Sequence, residues 1–387
     1  MKPLRSESIP LSSVQSLERT PVSLTPSSKT YLGEHLASSK TRATMAARLL
    51  SHIINHNSSV PHHYIRPISD RPNLAQLHYT DSAISSIDLQ SLQGPHRTLI
   101  LHKIAQVCQK DGFFRVVNHG IPEGVIENMM QVSRDFFGLP ESEKMKSFSD
   151  DPSKTMRLST SFNMKRESVH NWRDYLRLHC YPLQDFIDEW PSNPTSFRGC
   201  VGEYCTMVRD LALRLLEAIS ESLGLEGDYI EKALGKQGQH MAINYYPPCP
   251  EPELTYGLPD HTDPNALTIL LQDEVPGLQV LNNGKWVAIK PIPNSFVVNV
   301  GDQIRVISNG RYKSARHRAV VNSEKVRISI PTFYCPSHDA VISPAEKLLD
   351  KDHPPIYRSY PYSEYYHKFW ETGLEVENCL DCFAVSN

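Results

Sequence analysis

The sequence predicts a mixed α and β protein, with a helical front half leading into a β-rich back half folded as a sandwich or jelly roll. Three observations carry that expectation. Amphipathic stripes run along residues 97–108 and 208–223. After about residue 238, seven short β-like runs follow one another between Pro, Gly and Asn turns. The 29 prolines disfavour a mainly helical chain, because proline removes a backbone donor and clashes with the preceding turn.

The elements follow in order. Ile84–Leu89 alternates weakly and reads as a first strand. From Arg97 the pattern turns helical, with Leu99, Ile100, Ile104, Val107 and Cys108 on one face and Gly112 as the stop. Phe113–Val117 reads as a short buried strand. A second helix starts at Pro122, a residue suited to the first helical turn, and runs through Phe136 and Phe137 to the Leu139-Pro140 break. Residues 150–200 read as irregular, with Trp172, Tyr175 and Trp190 among them. Over Val208–Leu223 the stripe Leu211, Leu215, Ala218, Ile219 and Leu223 marks a strong helix, ended by Gly224. The β-like runs are 241–246, 267–271, 278–281, 286–289, 296–300, 316–321 and 327–334. Turns at Pro276-Gly277, Asn282-Asn283-Gly284, Pro293-Asn294 and Asn309-Gly310 separate them. Strands so short and so regularly spaced suit a sandwich or jelly roll. Tyr357–Trp370 reads as a closing helix, and no internal repeat is visible. The expected organisation is an extension over 1–60, an N-terminal region over 80–200, a linking helix over 201–236, a catalytic β block over 237–340 and a closing segment over 341–387.

Composition narrows the function. The net charge is -3, with 40% hydrophobic and 21% charged residues. That balance is ordinary for a globular protein and offers no electrostatic case for nucleic acid or an acidic membrane surface. No apolar run approaches the roughly 20 residues that cross a bilayer. The eight cysteines are scattered, which points to reduced thiols in a cytosolic protein. Cys379 and Cys382 form a lone C-x-x-C, read as ordinary cysteines of the closing segment. The first 44 residues read as a disordered tail. Their Ser- and Thr-rich, acid-poor character keeps a transit peptide open, although Glu7, Glu18 and Glu34 count against it. Met45 is an alternative start. The expectation is a cytoplasmic monomer, with nuclear presence compatible.

The chemistry lies in the β block. In His261-Thr262-Asp263, residues i and i+2 of a strand point to the same side, so an imidazole and a carboxylate converge on one ion. His317 lies in the later strand-like segment Ala315–Val321. Two His and one carboxylate on one face leave three octahedral positions open, as in non-haem Fe(II) oxygenases. In Arg327-Ile328-Ser329, a planar fork of donors and a hydroxyl share another strand face, the pattern that grips a carboxylate. Asn244 and Tyr246, within NYYPPCP at 244–250, share a face and add donors beside the same ligand. There is no Gly-rich phosphate loop and no G-x-S-x-G, which removes nucleotide-binding and serine-hydrolase readings. His119 and His62-His63 read as structural and solvent-facing, respectively.

The order NYYPPCP, HTD, GDQ with SNG, HR and RIS resembles the plant 2-oxoglutarate- and Fe(II)-dependent dioxygenases. FFRVVNHGIP at 113–122 is similar to that family's N-terminal region, and the likeness spans roughly residues 60–385. YIRPISDRPNL at 64–74, RLSTSFN at 157–163, NWRDYLRLHCYP at 171–182, EWPSNPTSFR at 189–198 and QHMAINYYPPCPEPELTYGLP at 239–259 resemble the downy-mildew-resistance-6-like oxygenases, which include salicylate hydroxylases. The resemblance implies a double-stranded β-helix (jelly-roll) core flanked by helices. It implies iron on His261, Asp263 and His317, with the far carboxylate of 2-oxoglutarate on Arg327 and Ser329. Asn244 and Tyr246 would lie near that cosubstrate, and Phe333 matches an aromatic that lines the substrate pocket. O2 is the co-reactant and ascorbate the reductant. The chemistry is iron-centred, with no separate acid or base residue.

Salicylate, oxidised to a dihydroxybenzoate, is the leading substrate on this likeness. Phe333, Phe162 and Tyr175 are candidates for an aromatic wall, and Arg177, Arg166, Arg305 or His179 for the counter-charge. Flavonoid oxidation is the alternative, and a non-catalytic small-molecule binding protein is the reading from a different class. Two departures from the family stand out. Arg305 replaces a frequent Gln or Glu, and Arg316 a frequent apolar residue. Both read as solvated strand residues, with altered anion binding or pocket polarity as the sharper alternative.

Overall fold

A computed structural model of the chain describes residues 49–54, 58–73, 84–375 and 379–385. The expected extension up to residue 48, including Met45, lies outside the described residues.

Two β-sheets face each other. Along the chain come β1 (Ser86–Asp88), β2 (Phe113–Val117), β3 (Met156–Thr160), β4 (Asp174–Tyr181), β5 (Gly238–Tyr246) and β6 (Leu258–His261). They are followed by β7 (Leu267–Gln272), β8 (Leu278–Asn282), β9 (Lys285–Ala288), β10 (Phe296–Val300), β11 (His317–Ala319) and β12 (Arg327–Cys335). The large sheet has eight strands in the order β1-β2-β10-β7-β12-β5-β4-β3, and the small sheet four in the order β6-β11-β8-β9. Phe113, Leu270 and Val297 of the large sheet pack with Leu278 and Val280 of the small one. This is the expected jelly-roll core.

Helices cover the other face of the large sheet. They are α1 (Arg97–Lys110), α2 (Glu123–Gly138) and α3 (Phe197–Ser222). Ile104, Met129, Phe136, Leu211 and Leu215 from these helices join Leu176, Leu178, Ile243, Ile269 and Ile330 from the strands in one core. Strand alternation then sends Tyr175, Arg177 and His179 to the opposite, inner face. No helix among the described residues is long and apolar enough to cross a membrane.

Several expectations need correction. The stretch read as irregular over 150–200 contributes two strands of the large sheet, β3 and β4. Their hydrophobic alternation is masked because the inner face carries Arg157, Tyr175, Arg177 and His179. Helix α3 begins at Phe197, well before Val208. Leu99 is 53% exposed, off the buried stripe of Ile100, Ile104, Val107 and Cys108. Arg305 lies on the short helix α4 (Asp302–Ile307) rather than on a strand. The closing helix, α5, is Tyr362–Thr372 and starts later than expected.

One long-range tie fixes the start of the described chain. The backbone N–H groups of Leu50 and Ser51 donate to Oδ1 and Oδ2 of the fully buried Asp174, at 2.8 and 2.9 Å. Hydrogen bonds of this kind contribute about 0.5–1.5 kcal/mol each, and loss of the acceptor also strands one buried and one half-buried donor at about 1–3 kcal/mol each. Asp174→Ala is therefore expected to destabilise the fold by about 3 kcal/mol or more, read as a lower midpoint in urea unfolding; an unchanged midpoint would contradict the role given to this tie.

Candidate active site

The small sheet brings the two histidines together. Strands β6 and β11 pair antiparallel, with His261 opposite His317 and their ring centroids 4.3 Å apart. Strand β6 ends at His261, so Asp263 sits in the turn beyond it and not on a strand as the i, i+2 reading expected. The side chains still converge. One ligand atom from each of His261, Asp263 and His317 lies within 4.8 Å of the others. Both histidine Nε2 atoms are 3.7 Å from Asp263 Oδ1.

Hydrogen bonds behind the ligands set which atoms remain free. His261 Nδ1 lies 2.8 Å from the Pro259 carbonyl, and His317 Nδ1 lies 3.1 Å from that of Ala315. A carbonyl only accepts, so each Nδ1 carries the hydrogen and each Nε2 presents a lone pair inward. Burial, then the neighbouring His317, lowers the pKa of His261 to about 3, which keeps it neutral at physiological pH. Asp263 Oδ2 accepts from Thr268 Oγ1 and Asn299 Nδ2, both at 2.6 Å, leaving Oδ1 to face the histidines. Burial pushes the Asp263 carboxyl up, but His317, His261 and these two hydrogen bonds outweigh it and hold it below its ordinary value. Two imidazole nitrogens and one carboxylate oxygen are a donor set that suits Fe(II).

The GDQ triplet buttresses this turn. Thr262 Oγ1 donates to Asp302 Oδ2 at 3.1 Å, and the Asp302 N–H donates to the Asp263 carbonyl at 2.9 Å. Gln303 Nε2 donates to the Pro264 carbonyl at 2.7 Å. A Cβ at Gly301 would stand 2.1 Å from the Asn265 carbonyl oxygen, so only glycine lets the two segments close. The hydroxyls of Tyr360, just before α5, and Tyr365, on it, donate to Gln303 Oε1 at 2.9 Å and Asp302 Oδ2 at 2.5 Å.

The large sheet supplies a candidate anion site beside the candidate metal ligands. Arg327 and Ser329 of β12 stand directly opposite Tyr246 and Asn244 of β5. Arg327 is 2% exposed and donates through Nη2 to Gln272 Oε1 at 3.1 Å and through Nε to the Val275 carbonyl at 3.2 Å. Its Nη1 is buried without a partner. An unmet N–H on a buried guanidinium is costly, and a carboxylate removes that cost. Asn244 Nδ2 donates to Ser329 Oγ at 3.4 Å, while Arg173 Nη1 holds Asn244 Oδ1 at 2.8 Å. Two glycines make room. A Cβ at Gly277 would lie 2.6 Å from Arg327 Cδ, and one at Gly257 would lie 2.6 Å from the Tyr246 ring.

His261, Asp263, His317, Arg327, Ser329, Asn244 and Tyr246 line a cavity of about 170 Å³ between the sheets. Phe162, Tyr175, Arg177 and Phe333 line it too, as does His179. Arg166, Arg305 and Arg316 do not. Arg166 donates to the carbonyls of Trp370 and Glu371 at 3.3 and 3.4 Å along an outer cleft. Arg305 borders a different cleft, and Arg316 pairs with Asp260. The sequence reading missed Thr268, Asn299, Arg157 and His240, and the cavity wall contributed by Tyr366, Phe369 and Trp370 of α5. A signal existed for the first two: each is the polar residue of an otherwise apolar run, LTILL and FVVNV. His119, by contrast, is held away from the cavity, accepting at Nδ1 from the Ile121 N–H at 3.1 Å with Nε2 3.3 Å from the Asn294 carbonyl.

Comparison with known proteins agrees with this geometry. Residues 237–336 match the 2OG-Fe(II) oxygenase superfamily, and residues 84–193 match the N-terminal region described as non-haem dioxygenase in morphine synthesis. The chain is 57% identical over 340 residues to Protein DMR6-LIKE OXYGENASE 2 of Arabidopsis thaliana, covering 87% of this chain and 98% of that protein. It is 56% identical over 330 residues to Flavanone 3-dioxygenase 2 of Oryza sativa subsp. japonica, covering 85% and 95%. The solved structure of JOX2 in complex with 2OG, Fe and JA superposes with a TM-score of 0.80 at 33% identity, covering 88% of this chain and 98% of that one. The chain belongs to the 2OG-Fe(II) oxygenase superfamily, as a plant DMR6-like dioxygenase. It is an enzyme that uses Fe(II), 2-oxoglutarate and O2, which sets aside the reading as a non-catalytic binding protein.

Two outcomes are expected. Replacing Thr268 by Val together with Asn299 by Leu frees Asp263 to rotate and lowers Fe(II) affinity about 10- to 100-fold in a metal titration. Gly277→Ala crowds Arg327 at a cost of about 1–3 kcal/mol, which raises the KM for 2-oxoglutarate by about tenfold; a wild-type KM would argue against Arg327 as the cosubstrate grip.

Proposed function

We propose that the enzyme hydroxylates a small aromatic plant metabolite, with salicylate to a dihydroxybenzoate as the leading reaction. The observation that carries the reading is a shared cavity: His261, Asp263, His317 and Arg327 line the same space as Phe162, Tyr175 and Phe333. In this reading His261, Asp263 and His317 hold Fe(II). Arg327 and Ser329 grip the far carboxylate of 2-oxoglutarate, with Asn244 and Tyr246 beside it. Bound there, iron with 2-oxoglutarate and O2 supplies the oxidant that puts one oxygen atom on the substrate, the other leaving in succinate as CO2 is released. The chain's part is geometric. Thr268 and Asn299 fix the carboxylate of Asp263, two backbone carbonyls fix the imidazoles, and the aromatic residues of α5 shield the cavity from water. No side chain outside the ligand set is needed as acid or base.

Likeness to the DMR6-like oxygenases supports salicylate. A second reading, oxidation of a flavanone, is favoured by the 56% identity to rice Flavanone 3-dioxygenase 2. The same cofactors serve both, and a shared fold does not choose between them.

A turnover assay separates them. Purified protein receives Fe(II), ascorbate and 2-oxoglutarate, with salicylate or naringenin in separate reactions. Dihydroxybenzoate matched by succinate is expected from salicylate; a flavone or hydroxyflavanone in its place would move the role to flavonoid oxidation. His261→Ala and Asp263→Ala are each expected to abolish succinate release, and full activity in either would overturn the iron assignment.

A further inference from the structure

Beyond the Arg327 and Ser329 grip, the cavity holds a pair of adjacent cations. Arg157 on β3 and Arg177 on β4 are direct cross-strand partners, and both line the cavity. Like charges directly opposite on a sheet destabilise it. Among the described residues neither arginine takes part in an ion pair. Arg177 Nη2 donates to the carbonyls of Pro152 and Lys154, at 2.7 and 2.5 Å. Arg157 Nη2 donates to the Tyr175 hydroxyl, and its guanidinium lies 5.4 Å from that ring. The Nε of each is buried without a partner. Arg157 is only 5% exposed.

The other cavity arginines are already matched. Arg173 donates to the Ser161 carbonyl and to Asn244, both at 2.8 Å. Arg318 donates to Gln279 at 2.7 Å and to the Tyr256 hydroxyl at 2.9 Å. Among the described residues Asp263 is the single carboxylate lining the cavity, and it belongs to the candidate metal ligands. The far wall therefore presents two guanidinium groups and no protein anion.

We propose that Arg157 and Arg177 form a carboxylate clamp, so that the substrate class is an aromatic acid, held by its carboxylate at the β3–β4 end with its ring toward the metal ligands. The proposal rests on the oxygenase reading of the same cavity. Opposite Arg177 on the next strand stands Ala242, whose small side chain leaves space on the cavity floor beside the clamp. From there the sheet runs through β12 to β7, where Thr268 holds Asp263. Strands lie about 4.8 Å apart, so β4 and β7 are roughly 14 Å apart along the sheet. The long arginine side chains and the Asp263 arm take up part of that span from either end. A neutral flavonoid has no carboxylate to offer, and its binding leaves the Nε of both arginines without an acceptor.

The test is a binding measurement on the full chain, loaded with Fe(II) and 2-oxoglutarate without O2. Benzoate, salicylate and cinnamate are titrated calorimetrically beside their neutral amides. The acids are expected to bind about tenfold or more tighter than the amides, the scale of a charged hydrogen-bond pair. Arg157→Gln and Arg177→Gln are each expected to lose about tenfold for the acids while amide affinity stays within about twofold. A purely structural role would weaken both classes together. Arg177→Lys keeps the charge and is expected to retain part of the acid preference, which guards against a variant that fails to fold. Equal affinity of wild type for acids and amides, or wild-type acid binding in both Gln variants, would overturn the clamp. Acid selectivity without dihydroxybenzoate formation supports the clamp and removes salicylate as the substrate, so the two readings fail separately.

Discussion

The site depends on how one buried carboxylate is divided between its two oxygens. Thr268 and Asn299 occupy Oδ2 of Asp263, so Oδ1 alone faces the histidines. Without those donors the carboxylate could turn, and two of the interactions that offset its burial would be lost. With them it remains an anion in a fixed pose. The histidines follow the same logic. Each is anchored through Nδ1 to a carbonyl two residues earlier in its own chain segment, so backbone geometry decides which nitrogen points inward.

The large sheet does two incompatible jobs by assigning one to each face. Its outer face is apolar and merges with α1, α2 and α3 into a single core. Its inner face carries arginine, histidine, asparagine and serine in positions where water is scarce. Polar groups there are tolerated when they hold one another, as Arg173 holds Asn244. Those left unmet are the informative ones, because a fold does not retain an unsatisfied guanidinium cheaply. Arg327 Nη1 and the Nε atoms of Arg157 and Arg177 are of this kind.

That division also explains what could be read from the sequence. Where a strand is apolar but for one residue, as in Phe113–Val117 with Arg115 or Phe296–Val300 with Asn299, the run stands out and the structure has a strand there. Where the inner face is charged, as in MRLST and DYLRLHCY, the strand resembles a loop, and β3 and β4 went unread. The candidate ligands His261, Asp263 and His317 were visible because their residue types are rare in such order. Thr268 and Asn299 were not, since a hydroxyl or amide inside a strand has many structural uses. Gly257 and Gly277 were beyond reach, because the space they provide exists only once Tyr246 and Arg327 are placed beside them.

The contribution of α5 to the cavity wall has a consequence for biosynthesis. A nascent chain that has emerged through β12 already contains each candidate metal ligand and both candidate anion grips. It lacks Tyr360 and Tyr365, which brace the GDQ turn, and Tyr366, Phe369 and Trp370, which wall the cavity. The order of synthesis thus places the polar centre first and its aromatic cover last. An oxidising centre assembled on such a half-made protein would stand open to water and to its own uncovered side chains, so a helix made after the candidate metal ligands is the one that covers the chemistry.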